Sequence, residues 1–418
     1  MNESSRSLIR FSRTSHPCCA AFDLLSFALP ATFFSSVFFS TTYFVSLFCL
    51  YSTFVPIRKT LFSLEYLLPK EMTSFADRKL TPAFTIDDCE SEVFTVRYSP
   101  DDRFVAAGCG DGTVRVYNAE NGRLTYTLNG GKPILTPRAS GSDKEASILN
   151  GGLPTTAMRF RPLGASKTRN VLLVANADGS VSHWHVTSGK CLHSTAEEGN
   201  QILCIDYNKD GSSFATAGKD HTVRVYDEAT KSLIAKMEGG LGTITPGHSN
   251  RIFSLKFNPV DANIIISGGW DNTVQIWDMR VGHAVRSIYG PHICGDAVDI
   301  NAEGNTILTG SWRAKDQLQL WDYSTGELIE SVSYGGESPR EPSMIYAAQF
   351  SKGSGDLLAA GGSGSNDAKV FDRSNGNKLV GTIRGFGAGG VFSLDFNCTN
   401  SRIAVGGGDK KIAVYSIH

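Results

Sequence analysis

The sequence predicts an all-β protein built from seven repeats of one short, turn-rich unit, and three observations support this prediction. An aspartate recurs in a turn between two apolar runs, at Asp111, Asp178, Asp220, Asp271, Asp316, Asp367 and Asp409. The run after each of these turns ends in an aromatic residue. The gaps between the aspartates are 67, 42, 51, 45, 51 and 42 residues. A period of about 40–45 residues, lengthened in places by inserted loops, is typical of four-stranded propeller blades.

The most regular unit is residues 248–278, which contain three β-rich runs at 252–257, 264–267 and 273–277. Asn258-Pro259 separates the first run from the second, and a Gly-Gly pair followed by Asp271 separates the second from the third. Short β-branched runs that alternate with Pro, Gly, Asn and Asp are typical of antiparallel strands joined by tight turns. We therefore interpret the unit as three strands of one blade.

The polar residues of this unit resemble those of a WD40 repeat, because Gly247-His248 opens the unit and Trp277-Asp278 closes it. The resemblance extends over residues 80–418 and implies a seven-bladed WD40-type β-propeller. It also implies a buried, hydrogen-bonded structural tetrad of His248, Ser267, Asp271 and Trp277. A buried carboxylate needs hydrogen-bond donors, and imidazole, hydroxyl and indole groups can supply them.

The ring of blades is expected to close through the segment Leu80–Ile86, which has strand character and precedes the first complete repeat. The last repeat ends the chain after three strands, which leaves its outer edge without a partner. The natural partner for that edge is the N-terminal strand. The blades then span about residues 92–128, 155–195, 201–238, 248–289, 292–334, 344–384 and 390–418. Flexible Gly-rich loops are expected at 129–151, 239–247 and 335–342.

The composition argues against a nucleic-acid partner and against a disulfide framework. Forty Lys and Arg balance 41 Asp and Glu, so there is no basic excess to release counterions from nucleic acid. The nine cysteines include no C-x-x-C pair, which disfavours structural zinc and indicates a reducing compartment. We therefore expect the propeller in the cytoplasm or the nucleus.

Residues 1–71 differ in composition from the rest of the chain, and three interpretations remain open. No charged residue occurs from 24 to 57, so residues 31–55 could form one membrane anchor. The Arg- and Ser-rich start could instead be an organellar or secretory leader. The third interpretation is a translated leader preceding a true start at Met72, because Phe, Ser, Leu and Pro all have pyrimidine-only codons. This composition favours the third interpretation.

Two groups of residues suggest chemistry but are better explained by structure. His248, Ser267 and Asp271 are the residue types of a hydrolase triad, yet the serine lacks a G-x-S-x-G elbow and the spacing is that of the repeat. His183 and His185 lie on one face of a predicted strand, but no cysteine or carboxylate cluster accompanies them. The sequence therefore predicts no catalytic residues, no metal site and no cofactor.

The candidate binding residues lie at one rim of the predicted propeller. In WD40 propellers, the start of each first strand and the residue before each turn aspartate face the same surface, the top face. Side chains of large or charged character at these positions are Phe94, Leu203, Lys219, Arg251, Phe253, Trp270, Asp296, Tyr346 and Phe392. Lys315 precedes Asp316 and is the corresponding residue of the fifth repeat. Aromatic and Arg anchors surrounded by polar groups are typical of protein-binding hot spots.

We therefore expect a non-enzymatic scaffold that docks proteins or peptides on its top face, as one monomeric propeller within a larger complex. The best-placed docking region spans the fourth, sixth and seventh blades. Two alternatives are a ligand-binding or enzymatic propeller that uses the central channel, and a membrane-anchored adaptor if residues 24–57 form a genuine anchor. Fold alone does not decide among these functions.

Overall fold

The structure is a computed structural model that describes residues 78–128, 153–164, 168–239, 247–335, 343–387 and 389–418. The described chain forms seven antiparallel sheets of four strands each. The innermost strand of each sheet contacts the innermost strands of the two neighbouring sheets, so the sheets form a closed ring. The predicted seven-bladed β-propeller is confirmed.

Blades one to three contain twelve strands. In chain order these are β2 (Val93–Tyr98), β3 (Phe104–Cys109), β4 (Val114–Asn118) and β5 (Leu124–Leu128); β6 (Thr155–Phe160), β7 (Val171–Asn176), β8 (Ser180–His185) and β9 (Lys190–Ala196); β10 (Ile202–Tyr207), β11 (Ser213–Gly218), β12 (Val223–Asp227) and β13 (Leu233–Met237).

Blades four to seven contain the remaining strands. They are β14 (Ile252–Phe257), β15 (Ile264–Gly269), β16 (Thr273–Asp278) and β17 (His283–Tyr289); β18 (Val298–Ile300), β19 (Thr306–Gly310), β20 (Leu318–Asp322) and β21 (Leu328–Val332); β22 (Met344–Phe350), β23 (Leu357–Ser363), β24 (Ala368–Asp372) and β25 (Lys378–Ile383); β26 (Val391–Phe396), β27 (Arg402–Gly407), β28 (Ile412–Ile417) and β1 (Leu80–Ile86). Short 3-10 turns at Val186–Ser188 and Arg373–Asn375 follow the third strands of blades two and six.

Burial decreases from the axis of the ring to its circumference. All six residues of β15 are buried, whereas four of the five residues of β21 are exposed. The inner strands are therefore buried on both faces and mainly apolar, and the outermost strands carry polar residues and a few exposed apolar ones such as Leu328 and Ile329. This gradient explains why the inner strands are continuous β-branched runs in the sequence.

The hydrophobic core lies between the faces of neighbouring blades. Each apolar cluster joins adjacent blades; for example, β14 and β15 residues pack against the second and third strands of blade three. The blades approach so closely that Gly268 of β15 has no room for a side chain. A Cβ atom there would lie 2.7 Å from both Ile293 and Val298 of the next blade.

The ring closes through β1, which pairs antiparallel with β28 from Leu80 opposite Ile417 to Ile86 opposite Ile412. Two backbone hydrogen bonds between Lys79 and His418, each 3.0 Å long, continue the ladder beyond the strand. The predicted closure of the last blade by the N-terminal strand is confirmed. Sealing this edge leaves no unpaired inner strand in the ring.

Some sequence predictions fall outside the described residues. The segment 1–71, with its three interpretations, lies outside them, as do the loop 129–151 and most of the loops 239–247 and 335–342. Within the described part of the chain, no helix is long and apolar enough to cross a membrane.

Candidate functional site

The top face of the propeller is formed by two kinds of loop. The turns between the second and third strands of each blade meet there, together with the described parts of the connections that lead from each outer strand to the next blade's inner strand. The turns between first and second strands form the opposite, bottom face. All residues of the predicted binding set lie at or just below the top face.

The predicted structural tetrad is assembled in blade four. His248 Nδ1 lies 2.8 Å from Asp271 Oδ2, and His248 Nε2 lies 2.8 Å from Ser267 Oγ. Trp277 Nε1 donates to the same Ser267 Oγ at 2.8 Å. Because an ionised carboxylate only accepts, the imidazole proton must be on Nδ1, and the Ser267 hydroxyl must donate to Nε2.

Asp271 has further donors that fix the turn between β15 and β16. It accepts from the Ser249 amide at 2.9 Å and from the Thr273 hydroxyl at 2.8 Å. Burial opposes ionisation of Asp271, but the hydrogen bond from His248 outweighs it and lowers the pKa of the carboxyl. Both side chains are almost inaccessible, so the tetrad stabilises the blade and cannot touch a substrate.

An aromatic platform lies on the top face over blades four and five. We define it as Arg251, Phe253, Trp270, His292, Cys294 and Trp312, all of them partly exposed. The rings of Phe253 and Trp270 stack with centroids 4.9 Å apart, and the Arg251 guanidinium lies 5.3 Å from the Trp270 ring. The stack is rigid because Phe253 also packs on the core below.

The platform continues into blade five through the segment before β18. Trp270 Nε1 donates to Cys294 Sγ at 3.1 Å. Two residues earlier, the His292 ring lies 6.5 Å from the ring of Trp312. Trp312 lies three residues after Thr309, just as Trp270 lies three residues after Ser267, and Thr309 and Ser267 each accept a hydrogen bond from the tryptophan of the next strand. The structural equivalent of Trp270 is therefore Trp312. The sequence had predicted Lys315 at this place, and that prediction was wrong.

Three predicted rim residues form a second aromatic group at blades one, six and seven, which we call the rim cluster. Phe94 stacks on Phe392 with centroids 5.6 Å apart, and Tyr346 meets Phe392 edge-on at 5.7 Å. Tyr346 and Phe392 are only 5% and 8% exposed. The rim cluster therefore packs between blades and offers a partner much less surface than the platform does. On blade three, Leu203 is partly buried, whereas Lys219 is exposed.

Asp296 occupies the fifth blade's equivalent of Phe94, but it does not stand at the edge of the rim as the sequence had predicted. Its carboxylate turns into the channel, where Arg97 and Arg159 both donate to it, the latter at 2.8 Å. Burial opposes ionisation of Asp296, but the two guanidinium groups outweigh it and hold its pKa below the usual range. Ser254 of blade four also donates to Asp296, at 3.2 Å.

The two arginines of this bridge belong to a ring of polar side chains around the channel, which sequence reasoning missed. The penultimate residue of every inner strand is polar, in the order Arg97, Arg159, Asp206, Lys256, Asp299, Gln349 and Asp395. Each acidic member accepts from a backbone amide of the next blade, at 3.0 Å for Phe257, 2.8 Å for Phe350 and 2.7 Å for Tyr98. A polar residue stands at the same position of every repeat, but this pattern becomes visible only when all seven inner strands are aligned.

Comparison with known proteins agrees with this architecture. The profile of the family "WD domain, G-beta repeat" matches residues 80–118, 189–227, 240–278 and 377–416. Together with the seven-bladed ring and the His–Ser–Asp–Trp tetrad, these matches decide the family. The chain belongs to the WD40-repeat family.

Three proteins with sequences similar to this chain have different names. The guanine nucleotide-binding protein subunit beta of Oryza sativa subsp. japonica is 23% identical over 347 residues, covering 82% of this chain and 85% of the relative. Cell division cycle 20.1, cofactor of APC complex, of Arabidopsis thaliana is 22% identical over 281 residues, covering 66% of this chain and 54% of the relative. Autophagy-related protein 16 of Arabidopsis thaliana is 22% identical over 249 residues, covering 59% and 45%.

Three of the four WD40 matches are offset from a blade by one strand, whereas the match at 240–278 contains β14, β15 and β16 of blade four. The match at 80–118 combines β1, the outer strand of blade seven, with the first three strands of blade one. The match at 377–416 likewise joins the outer strand of blade six to blade seven. In these three matches the offset links one sequence repeat to two blades, and β1 closes the ring in this way.

Blade three replaces the WD40 tetrad with a different network. Glu197 accepts from Thr216 at 2.5 Å and from Tyr226 at 2.9 Å, and these two residues occupy the places of Ser267 and Trp277. Arg224 bridges Glu197 and the turn aspartate Asp220 at 3.2 and 2.5 Å. Sequence reasoning missed Glu197 and Arg224, because it searched for histidine at this place and not for a carboxylate.

Blades five to seven retain progressively less of the tetrad. In blade five Trp321 donates to Thr309 at 2.9 Å. The histidine of this blade, His292, contacts Asn272 of blade four at 2.7 Å instead of Thr309. In blade six the Tyr334 hydroxyl lies 3.3 Å from Asp367. In blade seven an apolar residue, Phe386, packs against Gly407, where blade four has His248 against Gly269.

His183 and His185 do not form a common site. His183 is buried and lies 2.9 Å from Glu228 Oε2, whereas His185 is partly exposed and contacts Ser188 at 2.7 Å. Burial lowers the pKa of His183, although Glu228 acts against this. Within the described ranges, no three His, Cys, Asp or Glu side chains are grouped as a metal site requires.

Proposed function

We propose that this WD40 propeller is a non-enzymatic docking subunit that binds a segment of a partner protein on the aromatic platform. The observation that carries the proposal is the stacked pair Phe253–Trp270 with Arg251 above it, partly exposed on a rigid sheet edge. Trp, Tyr and Arg are the side chains most often found at binding hot spots. A platform held by packed blades also loses little conformational entropy when a partner binds.

The arrangement of the channel supports docking on the surface over chemistry in the channel. Arg97, Arg159 and Asp296 join blades one, two and five across the axis below the top face. Their charges are paired with each other and with Asp206, so they are engaged in holding the ring together. The tetrad groups that resemble a hydrolase triad are buried within blade four.

The names of the relatives support the same function. One relative is named a subunit of a guanine nucleotide-binding protein and another a cofactor of a complex. We extend to this chain only the role of a component within a protein assembly. The six cysteines in the described ranges are all free thiols, which supports a reducing compartment such as the cytoplasm or the nucleus.

Site-specific photo-crosslinking tests the proposal. A photo-reactive amino acid is introduced at Asn272, which is exposed on the top face beside the platform, or at Lys209, which is exposed on the bottom face. We expect partner segments to crosslink from position 272 and to be lost when Trp270→Ala or Phe253→Ala is added. Crosslinks that arise equally from position 209 and survive both platform substitutions would place the binding surface elsewhere.

A further inference from the structure

We infer that the platform selects an acidic segment with an apolar or aromatic anchor residue, an inference that rests on the proposed function and specifies its partner. The platform provides the surface for the anchor. The charges around the platform favour an acidic partner, because the charged groups without an internal partner are mainly positive.

Three cations lie on the top-face turns of the blades on either side of the Trp270 turn. Lys219 of blade three and Lys315 of blade five are both exposed, and neither forms an ion pair within the described residues. Arg313 is partly exposed beside Trp312, on the same turn as Lys315, and its guanidinium is held by the backbone oxygens of Asp316 and Gly290. These contacts orient the Arg313 guanidinium and leave its charge in place.

Most carboxylates near the platform are buried or already paired with a cation. Asp271 is buried in the tetrad, Asp296 lies between two arginines, and Asp220 shares Arg224 with Glu197. Glu238, at the end of blade three, is paired with Lys236. Asp316 and Glu198 are exposed carboxylates of the top face and each offsets one positive charge, so the three cations leave a small positive balance around the aromatic rings. A partner that places carboxylates there gains charge complementarity, and a basic partner is repelled.

A protein segment fits this surface better than single-stranded nucleic acid does. Stacked aromatics beside cations can also receive bases, but nucleic-acid binding draws most of its strength from a continuous series of phosphate contacts. Here the cations are few, lie on the turns of only two blades, and belong to a chain of net charge −1. A short acidic segment needs only two or three such contacts around one anchor.

An array of short synthetic peptides tests the inference directly on the full chain. Each peptide carries a central Phe or Leu flanked by Glu, by Gln or by Lys, and a single-stranded oligouridylate is included as a separate probe. We expect the Glu peptides to bind best, and to bind more weakly as salt screens the exposed charges. Preference for the Lys peptides, equal binding of all three sets, or preference for oligouridylate would overturn the inference.

Charge reversal supplies the matched variants. The double variant Lys219→Glu/Lys315→Glu should weaken binding of the Glu peptides by roughly tenfold, since two favourable contacts become repulsive. The control Lys209→Glu reverses an exposed lysine on the bottom face and should leave binding unchanged. No response to the double variant, or an equal response to the control, would contradict the acidic chemistry.

Failure of the inference can be distinguished from failure of the proposed function. If Trp270→Ala abolishes the crosslinks from position 272 while the double charge reversal changes nothing, docking on the platform stands and the acidic partner is excluded. If Trp270→Ala leaves those crosslinks intact, the proposed function fails and the inference fails with it.

Discussion

Arg97 of blade one donates a hydrogen bond to Asp296 of blade five, and the pair spans the axis of the propeller. The two residues are 199 positions apart in the sequence. Arg159 of blade two binds the same carboxylate, so three blades that are not all neighbours are tied together at one point. Such a bridge resists opening of the ring in addition to the packing between adjacent blades.

Asp296→Ala should destabilise the protein by about 3–5 kcal/mol, because it leaves two buried guanidinium groups facing each other. Repulsion from Arg159 already lowers the pKa of Arg97, second only to the effect of its burial. The free energy of unfolding in a denaturant titration measures this loss. Asp316→Asn removes an exposed carboxylate of the same blade, keeps a residue type that tolerates the left-handed backbone at this position, and should cost no more than about 0.5 kcal/mol.

A double variant separates the ion pair from other effects of the substitution. Arg97→Met together with Asp296→Ala removes both partners and should recover part of the stability lost by Asp296→Ala alone. Strictly additive losses from the two single substitutions would show that the carboxylate contributes independently of Arg97.

The sequence predicted the local strand structure well, because alternating turn residues and β-branched runs act over short distances. β1 and β14 were predicted with the bounds that the structure shows, whereas β15 extends two residues and β16 one residue beyond the predicted end. The fifth blade was harder, since its longer turn shifted the count and placed Lys315 where the structure has Trp312. Closure of the ring was predictable because an unpaired edge needs a partner.

The channel was not predictable from local patterns. Asp296 is a carboxylate at a position where other blades have an aromatic or apolar residue, such as Phe94 or Leu203. Its arginine partners lie on blades one and two. No spacing rule relates residues whose contact depends on closure of the whole ring. Glu197 was missed for a related reason, since its role appears only when Thr216 and Tyr226 are seen to converge on it.

Asp271→Ala should destabilise the protein by about 2–4 kcal/mol, because it strands the buried Nδ1–H of His248 and two donors of the turn. Asp409→Ala should cost less. Asp409 accepts only a 3.3 Å bond from the Lys411 amide among the described contacts, and Phe386 stands where blade four has its histidine. If both variants lose the same unfolding free energy in chemical denaturation, the tetrad does not contribute extra stability to blade four.

A chain that begins at Met72 should retain the stability of the propeller, because the ladder of β1 with β28 begins at Lys79 and is preserved. Deletion up to residue 90 should lower the melting temperature, since it removes β1 and exposes the edge of β28. It also removes Ile86 and Cys89 from the core between blades seven and one. Thermal melting of the two chains provides the comparison, and identical melting temperatures would contradict the closure by β1.

The last prediction concerns Glu228, which is buried between blades two and three. Its carboxylate contacts His183 at 2.9 Å, Lys231 at 2.7 Å, Arg161 at 3.1 Å and the Tyr207 hydroxyl at 3.3 Å. Burial opposes its ionised form, but the hydrogen bonds from His183 and Lys231 outweigh burial and lower the pKa of Glu228 to about 2. The folded state therefore binds a proton at this carboxyl less readily than the unfolded chain does.

The sign of the pH dependence follows from that depressed pKa. Stability from Glu228 is complete above the ordinary glutamate pKa of about 4.5 and is lost as the pH falls toward about 2. Glu228→Gln should be less stable than the wild type at neutral pH, and the difference should shrink across this acidic range. Glu198→Gln changes an exposed glutamate near the same blades and should keep the wild-type profile. Unfolding free energies measured at successive pH values decide the matter, and a Glu228→Gln difference that stays constant down to pH 2 would refute the assignment.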